Sequence, residues 1–150
     1  MLRGSAAAAA AAVGRATAAR ALPPYVPQPE QPPLVLYTPP SVKGKSSDEA
    51  LALAQHLNGR GAKMYGAYWC SHCNNQKQVF GAGGARLIGY VECAVDGYNS
   101  QRGVCKEKDI AGYPTWEING KYYPGEKSLY ELAKLSGFPE PSLFPSEDGD

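Results

Sequence analysis

The chain of 150 residues has almost no net charge, no long apolar run and very little proline in its middle. Lys and Arg number 15 against 14 Asp and Glu, a net +1. So weak a field gives no grip on nucleic acid or on an acidic membrane surface, which sets both aside as partners. The longest run of small apolar residues, Ala6 to Gly14, falls short of the roughly 20 residues that span a bilayer, so the chain reads as not itself transmembrane. No internal repeat is visible. Four cysteines are too few for a disulfide-dense scaffold, so their spacing matters more than their number. A hydrophobic share of 43% with 19% charged residues excludes a wholly disordered chain.

Proline divides what is there. Eight of the thirteen prolines lie between Pro23 and Pro40, and three more from Pro139 to Pro145. Only Pro114 and Pro124 fall between residues 46 and 138. Proline fixes φ and removes a hydrogen-bond donor, so dense proline builds neither helix nor central strand. Residues 23–45 therefore read as a Pro-rich linker, 46–138 as the folded domain and 139–150 as an acidic flexible tail. Residues 1–22 are Ala-rich, carry Arg3, Arg15 and Arg20, and precede the first acidic residue, Glu30. That composition fits an organellar transit peptide, with a low-complexity tail as the bland alternative.

Within 46–138, Ser46-Ser47-Asp48-Glu49 has the form of a capping box. Ala50, Leu53, Ala54 and Leu57 follow at helical spacing, predicting a helix over about 47–58. His56 on it reads as a surface or satisfied histidine. Residues 62–68 read as a buried strand and 70–80 as a helix. Gly81, Gly83 and Gly84 are expected to break the chain before a second strand at 87–92. A helix over 100–110 follows, then a strand at 115–118, a turn at Asn119-Gly120, a returning strand at 121–123 and a last helix at 126–136, with Gly137 placed to cap it. Strands alternating with helices and closed by a hairpin predict an α/β domain. Its mixed central sheet would carry helices on both faces, the arrangement of a thioredoxin-like fold.

The chemistry-bearing residues sit in Trp69-Cys70-Ser71-His72-Cys73. Two cysteines at this spacing close a small disulfide ring or grip a metal. Cys70 follows an expected strand and opens an expected helix, whose free N–H groups and positive end stabilise a thiolate. That makes Cys70 the attacking sulfur and Cys73, one turn further in, the resolving one. His72 offers a second positive group, or is an uninvolved surface residue. Gly112-Tyr113-Pro114-Thr115 precedes a strand. In a thioredoxin-like fold such a proline is cis and faces the cysteine pair, leaving neighbouring backbone to dock a substrate peptide. Of the aromatic residues Tyr65, Tyr68, Trp69, Tyr113 and Trp116, Trp69 is expected to line the surface and Trp116 to fill the core.

The run AKMYGAYWCSHCNNQKQVFG, then YVEC, then GYPTWEINGKYYPG and LYELAKLSGF, resembles the thioredoxin-like domain of plant and cyanobacterial vitamin K epoxide reductase homologues. The resemblance covers about residues 48–138. It implies a thiol–disulfide oxidoreductase, without a cofactor of its own, that takes electrons from folding proteins and passes them to a membrane-embedded quinone reductase. It also implies a chloroplast, and there the thylakoid lumen, with the mitochondrion as the alternative. The family's nucleophile and resolving positions fall on Cys70 and Cys73, its cis-proline on Pro114 and its second cysteine pair on Cys93 and Cys105. Three departures stand out. Ser71-His72 replaces the usual Pro-His. Met64 occupies the place, six before Cys70, where many thioredoxin-like proteins carry a buried carboxylate, so Lys63, Glu92 or water would have to move protons. These 150 residues hold no membrane helices, which implies a partner on a separate chain or another electron acceptor.

Cys93 and Cys105 admit three readings: a stapling disulfide, a relay exchanging with the first pair, or free thiols. Either disulfide fits an oxidising compartment. Two other functions compete with the enzyme. One is a peptide-binding or chaperone domain that keeps the fold without catalysis. The other is a four-cysteine zinc module, disfavoured because the second pair is spaced far too widely for a zinc knuckle.

Overall fold

A computed structural model describes residues 21–146, so residues 1–20 of the expected transit peptide (1–22) and residues 147–150 of the expected acidic tail lie outside the described residues. The chain divides into two units at Pro33/Leu34. Residues 21–33 of the first are extended and exposed, with no regular structure. The second unit runs through α1 (Asp48–Gly59), β1 (Lys63–Gly66), α2 (Ser71–Gln78), α3 (Gly81–Leu87), β2 (Gly89–Glu92), α4 (Arg102–Glu107), β3 (Thr115–Ile118), β4 (Lys121–Pro124), α5 (Leu129–Ser136) and a closing 3₁₀ turn, Pro141–Leu143. The sheet order is β2-β1-β3-β4, with β1 and β2 parallel and the other pairs antiparallel. This mixed four-stranded sheet with its helices is a thioredoxin-like α/β fold.

Both faces of the sheet are covered, and β1 shows why. Successive strand residues point to opposite faces. Met64 belongs to the main core with Leu53, Leu57, Phe80, Trp116 and Leu132. Its neighbour Tyr65 points into a second, smaller cluster with Val91, Cys93 and Cys105. There its hydroxyl donates to Glu117 Oε2 over 2.6 Å, satisfying a buried polar group.

Four expectations change. The glycines at 81, 83 and 84 do not break the chain; they start α3. A Cβ on Gly83 would lie 3.0 Å from Leu51 Cδ2, and one on Gly81, at φ +69°, 2.5 Å from the Ser46 backbone. These glycines let α3 lie close on α1 and on residues 45–46, which outweighs their poor helix propensity. Second, Ser47 caps α1, its Oγ accepting from Ala50 N–H. Ser46 Oγ instead accepts from Gly84 N–H over 2.9 Å. The reciprocal capping box lies at α5, between Ser128 and Glu131. Third, residues 34–45 of the expected linker are docked. Tyr37 exchanges backbone hydrogen bonds with Asp96 and Tyr98 and stacks on Tyr68 at 5.1 Å, while Ala82 N–H donates to Gly44 O. Fourth, the expected tail contributes to the core: Phe144 is buried and packs near Phe138. His56 is a satisfied histidine, its Nε2–H donating to Ser136 O. Gly137 caps α5 at φ +70°.

Candidate active site

Cys70 is the N-cap of α2, in extended geometry, and its Sγ accepts the Cys73 N–H at 3.4 Å. A sulfur thus fills the capping role usually taken by Ser or Asp, meeting one of the free N–H groups of the helix start. On its other side the Cys70 thiol faces the Tyr113 carbonyl at 3.6 Å. The Tyr113–Pro114 peptide is cis. Pro114 is buried, and its carbonyl accepts from Gly125 N–H, which fixes the loop to the end of β4. Trp69 stands 62% exposed with its ring edge-on to Tyr113 at 6.0 Å, while Trp116 is wholly buried. The structure therefore brings Trp69, Cys70, Tyr113 and Pro114 to one edge. His72 sits on the same helix start but turns outward, its Nδ1–H donating to Glu126 Oε1 at 2.5 Å.

Cys70 and Cys73 are free thiols. Cys73 is 1% exposed. Burial, reinforced by its hydrogen bond with Cys70, pushes the Cys73 thiol up to about 12. Cys70 is buried as well, but at 7% it is the less enclosed of the two, which suits a pair in which Cys70 meets substrate and Cys73 resolves.

Behind Cys73 lies a group that leaves little trace in the sequence. A Cβ on Gly66 would fall 2.8 Å from Cys73 Sγ and 2.9 Å from Tyr90 Cε2, so sulfur and ring share the hollow above that glycine. The Lys77 ammonium lies over the Tyr90 ring, 3.3 Å from its centroid. Burial holds Lys77 below the usual lysine range. The Tyr90 hydroxyl donates to Glu92 Oε2 over 2.8 Å, and Glu92 Oε1 accepts from the N–H groups of Tyr68 and Ala94. Burial, then Glu92, raises the Tyr90 phenol. Of the two residues expected to handle protons, Glu92 is in this group. Lys63 is exposed at the far end of β1. Lys77 was missed, although its place four residues after Cys73, on the buried stripe of α2, was a signal. Gln76 was missed too. Its Oε1 accepts from Trp116 Nε1–H and Lys127 N–H, and its Nε2–H donates to Lys127 O, tying α2 to the loop before α5.

Cys93 and Cys105 are joined in a disulfide. Both sulfurs are buried between β2 and α4, beside a cleft of about 490 Å³ that Tyr113 also lines. The bond takes two of the four thiolates that a zinc module would need, and no cluster of metal-ligating side chains occurs among the described residues.

The chain is 50% identical over 100 residues to thiol-disulfide oxidoreductase LTO1 of Arabidopsis thaliana. The match covers 65% of this chain and 27% of that protein. No family model matches the sequence.

Proposed function

We propose that this protein is a thiol–disulfide oxidoreductase that oxidises or isomerises cysteines of other proteins through Cys70 and Cys73. The observation that carries this reading is Cys70 at the start of α2, its sulfur capped by Cys73 N–H and facing the Tyr113 carbonyl beside exposed Trp69. The likeness to LTO1 supports the same chemistry. In the oxidising direction a substrate thiolate attacks Cys70 of the Cys70–Cys73 disulfide and expels Cys73. A second substrate thiolate then displaces Cys70, leaving a substrate disulfide and a reduced pair. Tyr113 offers its carbonyl beside Cys70, Pro114 brings no N–H to the loop, and Trp69 offers an apolar face, to an incoming peptide.

The resemblance to vitamin K epoxide reductase homologues supports a membrane-embedded quinone-linked partner as the acceptor of these electrons. The composition of residues 1–22 supports import into an organelle, the family resemblance supports the chloroplast, and the Cys93–Cys105 disulfide suits the thylakoid lumen there. A fluorescent fusion of the full chain tests that address, with mitochondrial import as the opposing result.

The reduction potential of Cys70–Cys73, equilibrated in glutathione buffers, tests the activity. A value well above that of thioredoxin, about −270 mV, is expected of an oxidant or isomerase. A value at or below it makes the protein a reductase. A non-catalytic peptide binder would keep its activity as Cys70→Ser.

A further inference from the structure

We propose that Lys77, seated on the Tyr90 ring that Glu92 holds by its hydroxyl, exchanges the proton of the buried Cys73, with Lys77 and Glu92 each reaching water through clefts beneath residues 38–42. The proposal rests on the thiol–disulfide reading above and names the groups that reading leaves unassigned.

No proton acceptor stands on β1 behind the cysteines. Met64, six residues before Cys70, is fully buried and carries no proton. A thiol as enclosed as Cys73 still has to gain or lose one each time its bond to Cys70 opens or closes. Its neighbour across the Gly66 hollow is Tyr90, and the Lys77 ammonium rests on that same ring. Lys77 has no hydrogen bond or ion pair with any described residue, although its side chain is buried. A buried cation without a paired anion is costly. Here the cost is offset by the face of Tyr90, by Glu92 bonded to the hydroxyl of that ring, and by the Cys73 thiolate whenever it forms. The groups facing Lys77 are Cys73 from the start of α2, Tyr90 and Glu92 from β2, and Arg86 from α3, which lines the same cleft.

Two clefts connect the relay to water. One of about 290 Å³ is lined by Lys77, Arg86 and Tyr90 under Ser41 and Val42. The other, of about 260 Å³, is lined by Glu92 and Tyr90 under Thr38 and Pro39. Protons can therefore enter and leave behind the cysteines, away from the Trp69–Pro114 edge where substrate docks.

A substrate thiolate bonds to Cys70 Sγ, and the Cys70–Cys73 bond breaks. Cys73 leaves with the electron pair and takes a proton from Lys77, which is reprotonated from water through its cleft. The second substrate thiolate then releases Cys70, and two electrons have passed from substrate to protein. In reverse, neutral Lys77 takes the Cys73 proton before the thiolate attacks. The raised Cys73 thiol and the lowered Lys77 ammonium both favour passing the proton from lysine to the departing sulfur.

The test follows reduction of the oxidised full chain by dithiothreitol across pH, correcting for the reagent's own thiolate. In wild type the rate falls as Lys77 loses its proton. Lys77→Met is expected to react about 100-fold more slowly at neutral pH, in the range of general acid catalysis, and to lose that fall. Lys77→Arg keeps the charge but cannot give up its proton, so it should be equally slow. Cys70 in the reduced variants should react with iodoacetamide as in wild type, which shows an intact front of the site. A wild-type rate and pH profile in Lys77→Met, or full rescue by Lys77→Arg, overturns the relay. If the variants do not fold, the wild type decides alone: a solvent deuterium isotope effect is expected on disulfide opening, and a ratio of one overturns the proposal. A wild type that does not react with dithiol at all sinks the oxidoreductase reading itself.

Discussion

The two cysteine pairs use the same chemistry in opposite settings. Cys70 and Cys73 are separated by two residues on one helix start, with Trp69 exposed on one side and a buried lysine on the other. Cys93 and Cys105 lie 12 residues apart and join β2 to α4, with both sulfurs enclosed against Tyr65 and Val91. The first pair starts a helix and faces the Tyr113–Pro114 loop. The second closes a long loop and packs into a core. Tyr113 touches both settings, since its carbonyl faces Cys70 and its ring packs on the second cluster. The comparison teaches that neighbours decide what a cysteine does, more than its own identity.

The contrast can be broken most severely at the first pair. Cys70→Ser should abolish dithiol oxidation, and Cys73→Ser should accumulate mixed disulfides with substrate, visible on non-reducing gels. Full activity in either variant refutes the division of roles. At the second pair the loss should be one of stability. Replacing Cys93 and Cys105 together by Ser should cost about 2–4 kcal/mol in denaturant unfolding while exchange at Cys70 continues. A large change in the Cys70–Cys73 potential would instead mean that the pairs communicate. Gln76→Ala strands the buried Trp116 N–H and should cost about 1–3 kcal/mol by the same measurement.

A smaller effect depends on pH. The Cys73 thiol ionises near 9.0 when unfolded and is pushed up to about 12 when folded. Between those values the unfolded chain binds fewer protons, so stability falls as pH rises. In the reduced protein this slope should lessen in Cys73→Ala, read from unfolding midpoints across that range. The smallest effect is expected at His72, whose ion pair with Glu126 is largely exposed. His72→Ala should leave the unfolding midpoint almost unchanged, and a large loss would show that the pair holds the helix start.

The parts of the molecule legible in the sequence were those governed by local rules. Hydrophobic spacing marked α1 and α5, Asn119-Gly120 marked the hairpin, and Cys70 marked the start of α2. Features that depend on close approach were not legible. Gly81, Gly83 and Gly84 read as breakers because a backbone pressed against Ser46 is invisible in one dimension. Ser46 and Ser47 are chemically equal, and only the position of α3 decides which one caps α1. Lys77 looks like any surface lysine until Tyr90 is placed beneath it. Proline density marked residues 34–45 as chain without helix or strand, which holds apart from one isolated bridge at Tyr37, yet said nothing of whether they pack.

That packing determines where the chain can be cut. A fragment trimmed to residues 46–138, the stretch that proline spacing suggests, would strip Tyr37 from Tyr68, two residues before Cys70, and Phe144 from Phe138. It would also remove the roof over Lys77 and Glu92. A fragment spanning 34–146 keeps these contacts, and is the shorter protein in which the chemistry of Cys70 should survive intact.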